Sequence, residues 1–353
     1  MPLTPPVLST AALVINFNTA ALTVRCVQSL AVDGVDRILV LDNASEQADY
    51  DLLRHSLAES GRCHLFRSEV NLGFAAGSNL LIEKAFAAEA CSHVLMVNSD
   101  AVLAADGFEA LVEVARENEA DLIGGRVNRL EVSGGGQLVR TDTVESHGIA
   151  LYRTLLASNR KHDEEGYLGP TGGCALYSRR MLERVRLAHG HVFDPDYFCY
   201  AEDTDLCIRA RLLGFSAAKT DAVVAYHQGQ ASSGGGFSDF VYYHGIRNSI
   251  WTLFKSFPVS LLFRNAHWIL LLHAGIVVRH TMRGKLRLTL RIYRDGFAAW
   301  QPLLAKRRRI FDGVPGNPGR RLNAVVTPWF YEPGYLKGAF RELFTRRRAD
   351  PRR

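Results

Sequence analysis

Short apolar runs alternate with amphipathic segments along the first 120 residues of the chain. The runs at residues 11–17, 37–42 and 93–98 have the composition and length of buried strands. Between them, apolar residues recur at the spacing of helices that bury one face. This alternation predicts βαβ units, so we expect an α/β fold with a mostly parallel sheet and helices on both faces. In such sheets, ligands bind beyond the carboxyl ends of the strands.

The pattern changes beyond a glycine- and serine-rich stretch at residues 229–238. Such stretches are typical of flexible connections between domains. We therefore predict a first domain at residues 1–230, which contains the strands, and a helical region at residues 231–353.

The most apolar window of the chain, residues 257–278, nearly has the length of a membrane span. Arg264, His267 and His273 interrupt it, and a charged residue at the middle of a bilayer costs about 2.5–3.5 kcal/mol. We therefore expect an interfacial or buried helix. A membrane-spanning helix is the less favoured interpretation.

Charge divides the chain in the same place. Residues 1–230 hold 20 lysines and arginines against 30 aspartates and glutamates, whereas residues 231–353 hold 22 against 6. The basic second region should therefore contact an anionic surface. The six cysteines lack the spacing of metal sites, and the N-terminus lacks the basic and apolar regions of a signal peptide. We expect reduced thiols and a cytoplasmic protein.

Polar and glycine-bearing motifs follow several of the predicted strands. Asp42 and Asn43 follow the second strand, where a carboxylate can accept a hydrogen bond from a nucleotide base or ribose. Asp100 follows the strand at residues 93–98 and is suited to hold Mg²⁺ or Mn²⁺, and His227 ends a later strand. Each residue also has a structural interpretation as a cap, a turn or a packed side chain. The glycine motifs of dinucleotide-binding and P-loop proteins do not occur.

Three carboxylates lie close together at residues 202–205, in the stretch YFCYAEDTDLCIRARLLGF. Glu202, Asp203 and Asp205 begin a predicted helix that ends near Gly214. Acidic residues in a first turn interact favourably with the helix dipole, which accounts for one or two of them. Three together repel one another, and a site that needs a base or binds a cation would explain them. The stretch alone leaves both interpretations open.

Taken in order, the motifs resemble those of the family-2 inverting glycosyltransferases, most closely the rhamnosyltransferase-like branch of bacterial polysaccharide assembly. The resemblance covers about residues 11–250. It implies a GT-A fold, with a Rossmann-like sheet, and the transfer of a sugar from a nucleoside diphosphate to an acceptor hydroxyl. The motifs are LVINFN, VLDNAS, NLGFAAGSN, VLMVNSDAVL, GGCALYSRR, FDPDYFCYAEDTDLCIRARLLGF and VAYHQGQAS.

The resemblance also implies roles for particular residues on the donor side. Asn98 and Asp100 occupy the D-x-D position, where Asn98 replaces the aspartate of many relatives and removes one carboxylate. Asp100 and His227 are the implied ligands of Mg²⁺ or Mn²⁺. The implied donor-binding residues are Asn16, Asn18, Asp42, Asn43, Asn71, Gly73, Phe74, Asn79, Asn98 and Asp100.

On the acceptor side, Glu202 and Asp203 match the E-D motif of the family. Asp203 is the implied catalytic base, and we expect its acidic neighbours to raise its pKa toward that task. Gly172, Gly173 and Asp205 are expected on the acceptor side. The implied reaction is a single in-line displacement that inverts the anomeric carbon.

The implied donor is dTDP-L-rhamnose, with UDP-linked hexoses or N-acetylhexosamines as the alternative. The implied acceptor is a glycan, expected to be linked to polyprenyl diphosphate. We therefore expect residues 231–353 to hold the enzyme as a peripheral protein on the anionic cytoplasmic face of the membrane.

Three other functions are compatible with parts of this pattern. A catalytically inactive relative would not need Asp100, Asp203 and His227. A nucleotidyltransferase would carry a basic glycine-rich loop soon after the first strand, but the segment NFNTAALTV at residues 16–24 has no basic residue. A nucleic-acid-binding protein would show a recognised motif or exposed aromatic residues among the basic clusters, so no nucleic-acid partner is expected.

Overall fold

A computed structural model describes residues 8–58, 60–133, 137–162, 166–229, 238–335 and 337. Its strands are β1 (Thr10–Asn16), β2 (Val35–Asn43), β3 (Cys63–Ser68), β4 (His93–Val97), β5 (Ala101–Leu103), β6 (Leu122–Val132), β7 (Leu138–Ser146), β8 (Ile149–Leu151), β9 (Ala157–Asn159), β10 (Cys174–Ser178) and β11 (Ala217–His227). Its helices are α1 (Ala20–Ser29), α2 (Gln47–Leu57), α3 (Gly73–Phe86), α4 (Gly107–Glu117), α5 (Arg179–His189), α6 (Glu202–Leu212), α7 (Asp239–Ser256), α8 (Val259–Met282), α9 (Leu286–Ala298), α10 (Trp300–Phe311) and α11 (Pro318–Asn323).

The main sheet has the strand order β3-β2-β1-β4-β10-β6-β11-β5, and β7 pairs with β6. The first four strands are parallel, as the alternation of strands and helices predicts. Beyond β4 the sheet is mixed, because β10 lies antiparallel between β4 and β6 while β11 runs parallel to β6. A short two-stranded sheet, β8 and β9, lies beside it. The predicted α/β fold class is confirmed.

Both faces of the sheet are buried. Along β1, Leu13 belongs to a core that includes residues of α3, α5 and α6, whereas Ala12 and Val14 belong to a core that includes residues of α1, α2 and α4. Successive side chains of a strand point to opposite faces, so a sheet covered on both faces needs continuous apolar strands. The uninterrupted apolar sequence of β1 therefore follows from its central position.

The strand pairing brings several of the motifs to one edge of the sheet. In β1 and β2, Asn16 lies opposite Asp42, at the carboxyl ends of parallel strands. The chain leaves β4 at Val97 and returns in β5, which pairs antiparallel with β11 so that Ala101 lies opposite His227. This pairing places Asp100 next to His227.

The helices α7 to α11 follow β11 in the chain. The predicted boundary between residues 230 and 231 lies in the segment 230–237, outside the described residues. Helix α7 packs on α6, α9 and α10, and α8 packs on α9 and α11. Within the described residues, α8 is the one helix long and apolar enough to cross a membrane, and 22% of its most apolar window is buried. Length and composition alone do not distinguish a membrane span from a core or interfacial helix.

Candidate active site

A cleft of about 850 Å³ lies beyond the carboxyl ends of β1, β2 and β4 and faces the first turn of α6. Its walls come from the donor-side motifs, the turn before β10, and the loop that leads into α6. Among the residues predicted for the site, those that line it are Asn43, Asn71, Gly73, Phe74, Asn98, Asp100, Gly172, Gly173, Glu202, Asp203 and His227.

Asp100 and His227 meet in this cleft, although 127 positions separate them in the sequence. His227 Nε2 lies 2.9 Å from Asp100 Oδ1, and His227 Nδ1 lies 3.1 Å from Glu145 Oε1. The Asn98 amide nitrogen is 3.3 Å from His227 Nε2. Burial by itself would lower the pKa of His227, but the hydrogen bonds to Asp100 and Glu145 raise it to about 10. The imidazole therefore lies between two carboxylates.

The donor atoms of this cluster fit a divalent cation. Imidazole nitrogen together with carboxylate oxygen suits Mn²⁺, and carboxylate oxygen suits Mg²⁺. Glu145 fixes the ring through Nδ1 and leaves Nε2 toward Asp100, as carboxylates commonly do for metal-binding histidines. In the part of the chain that the structure describes, no larger group of metal-binding side chains is present. Asp100 and His227 would thus leave ligand positions for phosphate oxygens and water.

Glu145 is a site residue that the sequence analysis missed. It lies near the end of β7, in a stretch without a recognised motif, and it lines the cleft. Its position depends on the antiparallel pairing of β7 with β6, which sequence patterns do not reveal.

Asp203 lines the same cleft at the start of α6. Its Oδ2 accepts a hydrogen bond from the Gly172 backbone N–H at 3.0 Å, and its Oδ1 accepts one from the Thr204 N–H at 2.6 Å. Burial raises the pKa of Asp203, and these hydrogen bonds partly oppose the rise. A Cβ at Gly172 would lie 3.6 Å from Oδ2, so any side chain there would occupy the space before the carboxylate.

Glu202 has a different environment from its neighbour. It is only 7% exposed, and its Oε2 has no hydrogen-bond partner among the described residues. Burial, and then the charge of Asp203, raise the pKa of Glu202 well above its usual range. The expectation that acidic neighbours raise the pKa of Asp203 is therefore corrected: burial is the main cause there, and the effect of a neighbouring charge is found at Glu202.

Asp205 does not lie where the acceptor-side prediction placed it. Its side chain is fully buried, and it pairs with Arg209 at 2.7 Å and with Lys255 at 3.2 Å. Ser256 Oγ also donates to it at 2.7 Å. Burial would raise the pKa of Asp205, but the two cations lower it to about 2. This carboxylate anchors α6 to α7 and does not line the cleft, which corrects the prediction.

Asn16 and Asp42 lie behind the cleft wall. Asn16 Nδ2 donates to Asp42 Oδ1 at 3.0 Å and to Asp49 Oδ2 at 2.9 Å, which ties the ends of β1 and β2 to α2. Asp42 Oδ2 lies 3.5 Å from Arg67 Nε and accepts no hydrogen bond within the described chain. Both side chains are fully buried, so contact between Asp42 and a nucleotide base would require the wall to open.

Two further residues predicted on the donor side, Asn79 and Asn18, bond to the chain itself and do not line the cleft. Asn79 forms a reciprocal pair with the backbone of Phe193, at 2.8 and 2.9 Å, and does not line the cleft. Asn18 has a φ of 53° and accepts a hydrogen bond from the Glu46 N–H at 2.8 Å. In contrast, Asn43 lines the cleft and holds its wall, because its Nδ2 donates to Asn71 Oδ1 at 2.9 Å.

Comparison with known proteins finds a family match in the first part of the chain. Residues 12–186 match the family described as glycosyl transferase family 2. No curated protein matches the chain.

Several solved structures share the fold. The mannosyltransferase PcManGT from Pyrobaculum calidifontis, in complex with GDP-Man and Mn²⁺, is 14% identical with a TM-score of 0.51, over 95% of this chain and 87% of its own. S. aureus TarS 1-349 in complex with UDP-GlcNAc is 16% identical with a TM-score of 0.50, over 90% and 84%. GalNAc-T7 with UDP, GalNAc and Mn²⁺ is 13% identical with a TM-score of 0.50, over 74% and 55%.

At these identities the structural likeness shows the fold, and the family match adds the enzyme class. The match includes most of β1, all of β2 to β4, and the cleft-lining residues Asn43, Asn98 and Asp100. The chain therefore carries a glycosyl transferase family 2 domain on a GT-A fold, and the protein is a glycosyltransferase.

Proposed function

We propose that the protein is a metal-dependent inverting glycosyltransferase that transfers a sugar from a nucleoside diphosphate to a hydroxyl of a glycan acceptor. The observation that carries this proposal is the position of the Asp100–His227 pair and of Asp203 within one cleft. A pair suited to a cation and a carboxylate placed to act as a base are the two chemical groups that the reaction requires.

Asp100 and His227 are proposed to hold Mg²⁺ or Mn²⁺. The cation would stabilise the negative charge of the departing nucleoside diphosphate. Glu145 keeps the His227 ring oriented, and the Asn98 amide lies beside it. Mn²⁺ accompanies GDP-Man in the PcManGT structure, and UDP and GalNAc in the GalNAc-T7 structure, which supports a divalent cation in this protein.

Asp203 is proposed to take the proton from the acceptor hydroxyl. The Gly172 N–H fixes one oxygen of the carboxylate, and the absence of a side chain at Gly172 leaves room before it. Burial and the charge of Asp203 raise the pKa of Glu202, which favours the protonated form of that carboxyl and reduces the repulsion between the two neighbouring groups. Asp203 can then remain ionised and act as a base.

The proposed donor is dTDP-L-rhamnose, on the strength of the motif resemblance, with a UDP-sugar as the alternative. The donor test is a panel of dTDP-, UDP- and GDP-sugars with Mn²⁺ or Mg²⁺, in which release of the nucleoside diphosphate is measured. Release from one donor alone would identify it. Absence of release or transfer with every donor and a matched glycan acceptor would favour an inactive sugar-nucleotide-binding relative.

Helix α8 supports the proposal of a peripheral membrane location. One face of α8 packs on the protein through Leu261, Leu272 and Ile276. The outward face carries large apolar residues, among them Phe263 and Leu270, which are 79% and 70% exposed, beside exposed Arg264 and His267. A surface helix of a soluble protein normally has a polar outer face. An exposed apolar stripe is typical of contact with a membrane or with another protein.

Basic residues on the neighbouring helix favour a lipid surface. On α9, Arg291 and Arg294 are exposed next to exposed Leu290 and Phe297. Each basic residue near an anionic leaflet contributes about 1 kcal/mol. We propose that α8 and α9 lie on the cytoplasmic leaflet and bring the cleft to an acceptor linked to polyprenyl diphosphate.

We expect the wild-type protein to sediment with vesicles that contain phosphatidylglycerol at low salt. The double variant Leu270→Glu, Leu271→Glu should lose most of this binding, because it places two negative charges on the exposed stripe. Leu187→Glu is the matched control, since Leu187 is 73% exposed on α5. Binding that resists about 1 M salt, where the Debye length is only ~3 Å, would indicate insertion of α8. A wild-type protein that stays in solution at low salt would contradict the proposal.

A further inference from the structure

The loop that leads into α6 has an unusual backbone conformation. Phe198, Tyr200 and Ala201 have φ values of 64°, 69° and 67°, in a region that non-glycine residues rarely adopt. Such conformations persist where the surrounding structure imposes them, and they occur often at functional sites. The loop lines the cleft and is followed directly by Glu202 and Asp203. Its conformation therefore sets where the first turn of α6 begins.

Asn248 of α7 holds this loop from one side. Its side chain is fully buried, and its Nδ2 donates to the backbone oxygens of Tyr197, Cys199 and Tyr200 at 3.0, 2.8 and 2.7 Å. The Asn248 Oδ1 accepts from Arg247 Nε at 3.0 Å, which fixes the orientation of the amide. One side chain from the C-terminal region thus binds the backbone on both sides of Phe198.

Helix α3 holds the same loop from the other side. The Ala75 N–H donates to the Phe198 carbonyl at 3.0 Å. A Cβ at Gly73 would lie 2.5 Å from Phe198, so the two segments are in close contact. The loop is therefore held between two helices. One of them, α3, lies in the family-matched segment, and the other, α7, lies outside it.

The end of α7 also fixes the buried face of α6. Lys255 is fully buried and forms ion pairs with Asp194 and with Asp205, the latter at 3.2 Å. Ser256 donates to Asp205 as well. These contacts restrain the rotation of α6 about its axis, and that rotation determines whether Asp203 points into the cleft.

We infer that α7, chiefly through Asn248, is a positioning element for the catalytic carboxylate and is part of the active-site structure. The catalytic part of this inference rests on the proposed role of Asp203 as the base. The restraint of the loop itself does not depend on that role, so the two can be tested separately.

The restraint can be measured without a substrate, because Cys199 lies in the loop and is half-buried. In Asn248→Ala, we expect a maleimide to label Cys199 at least about tenfold faster, since local opening exposes the thiol. Cys63, also half-buried but in β3, is the internal reference and should be unchanged. The matched control is Asn265→Ala, a buried asparagine whose side chain donates to Leu261 in its own helix. Equal labelling of Cys199 in the wild type and in Asn248→Ala would overturn the inference.

The catalytic consequence is measured with the identified donor. Asn248→Ala should lower kcat by about 10–100-fold with little change in the KM for the donor, because misplacement of about 1 Å can cost this much. Asn265→Ala should keep wild-type kcat, and equal losses in both variants would reduce Asn248 to a general stabilising role. Asp203→Asn is assayed in parallel. If it stays active, the proposed base is wrong, while the labelling result still decides the restraint of the loop.

Discussion

Asp203→Asn is expected to lower kcat by about 10²–10⁴-fold, the usual contribution of a general base, while nucleoside diphosphate affinity stays within about twofold. The carboxamide has nearly the shape of the carboxylate but cannot accept the proton. Asp203 accepts hydrogen bonds from the N–H groups of Gly172 and Thr204, and an amide can satisfy only one of them with its oxygen. A modest fall in Tm should therefore accompany the kinetic effect.

The control for this variant is Asp106→Asn, because Asp106 is exposed at the start of α4 and its side chain caps no helix N–H. It should keep wild-type kcat and Tm. A wild-type kcat in Asp203→Asn would show that Asp203 has only a structural role, and Glu202 would then be the next residue to test.

The pH dependence of kcat/KM provides a second test of Asp203. Because burial raises the pKa of this carboxyl, activity should fall as the pH falls through a value above the usual ~3.9 of aspartate. Activity falls toward low pH, and does not rise, because the protonated form of Asp203 cannot act as a base. An acid limb at or below the pKa of exposed aspartate would contradict the assignment.

Asp100→Ala is expected to abolish the part of nucleoside diphosphate binding that depends on Mn²⁺ or Mg²⁺. Asp100 is the carboxylate next to His227 in the cleft, and its loss would leave the imidazole as the single proposed protein ligand. Calorimetric titration of the nucleoside diphosphate, with and without Mn²⁺, measures the effect without any turnover. The wild type should bind more tightly with the cation, and Asp100→Ala should bind equally weakly with and without it.

Two variants sharpen this test. Glu145→Gln should retain metal-dependent binding but lower the affinity for the metal by about 10–100-fold, as is usual when the partner of a ligating histidine is lost. Asp106→Ala should behave as the wild type. Metal-dependent binding that survives in Asp100→Ala would exclude Asp100 as a ligand.

The strand–helix alternation and the apolar strands were sufficient to predict the fold class, because both depend on short-range patterns. The middle of a central strand such as β1 has to be apolar on both faces, and the segments that cover it have to bury one face. The motifs at the strand ends also led to Asp100 and His227, and the acidic start of a predicted helix led to Glu202 and Asp203. The structure brings all four to one cleft. Residues at the carboxyl ends of strands converge in any such sheet.

The sequence by itself thus determined the fold class, the family resemblance and the candidate residues at the strand ends. Only the tertiary structure decided how neighbouring residues differ. Asp203 points into the cleft whereas Asp205, two positions later in the same helix, is buried against Lys255, which lies 50 positions further along the chain. The contributions of Glu145 and Asn248 likewise depend on β7 pairing with β6 and on α7 packing against α6. Burial and charge pairing arise from contacts between distant segments, so they have no signature in the local pattern of the sequence.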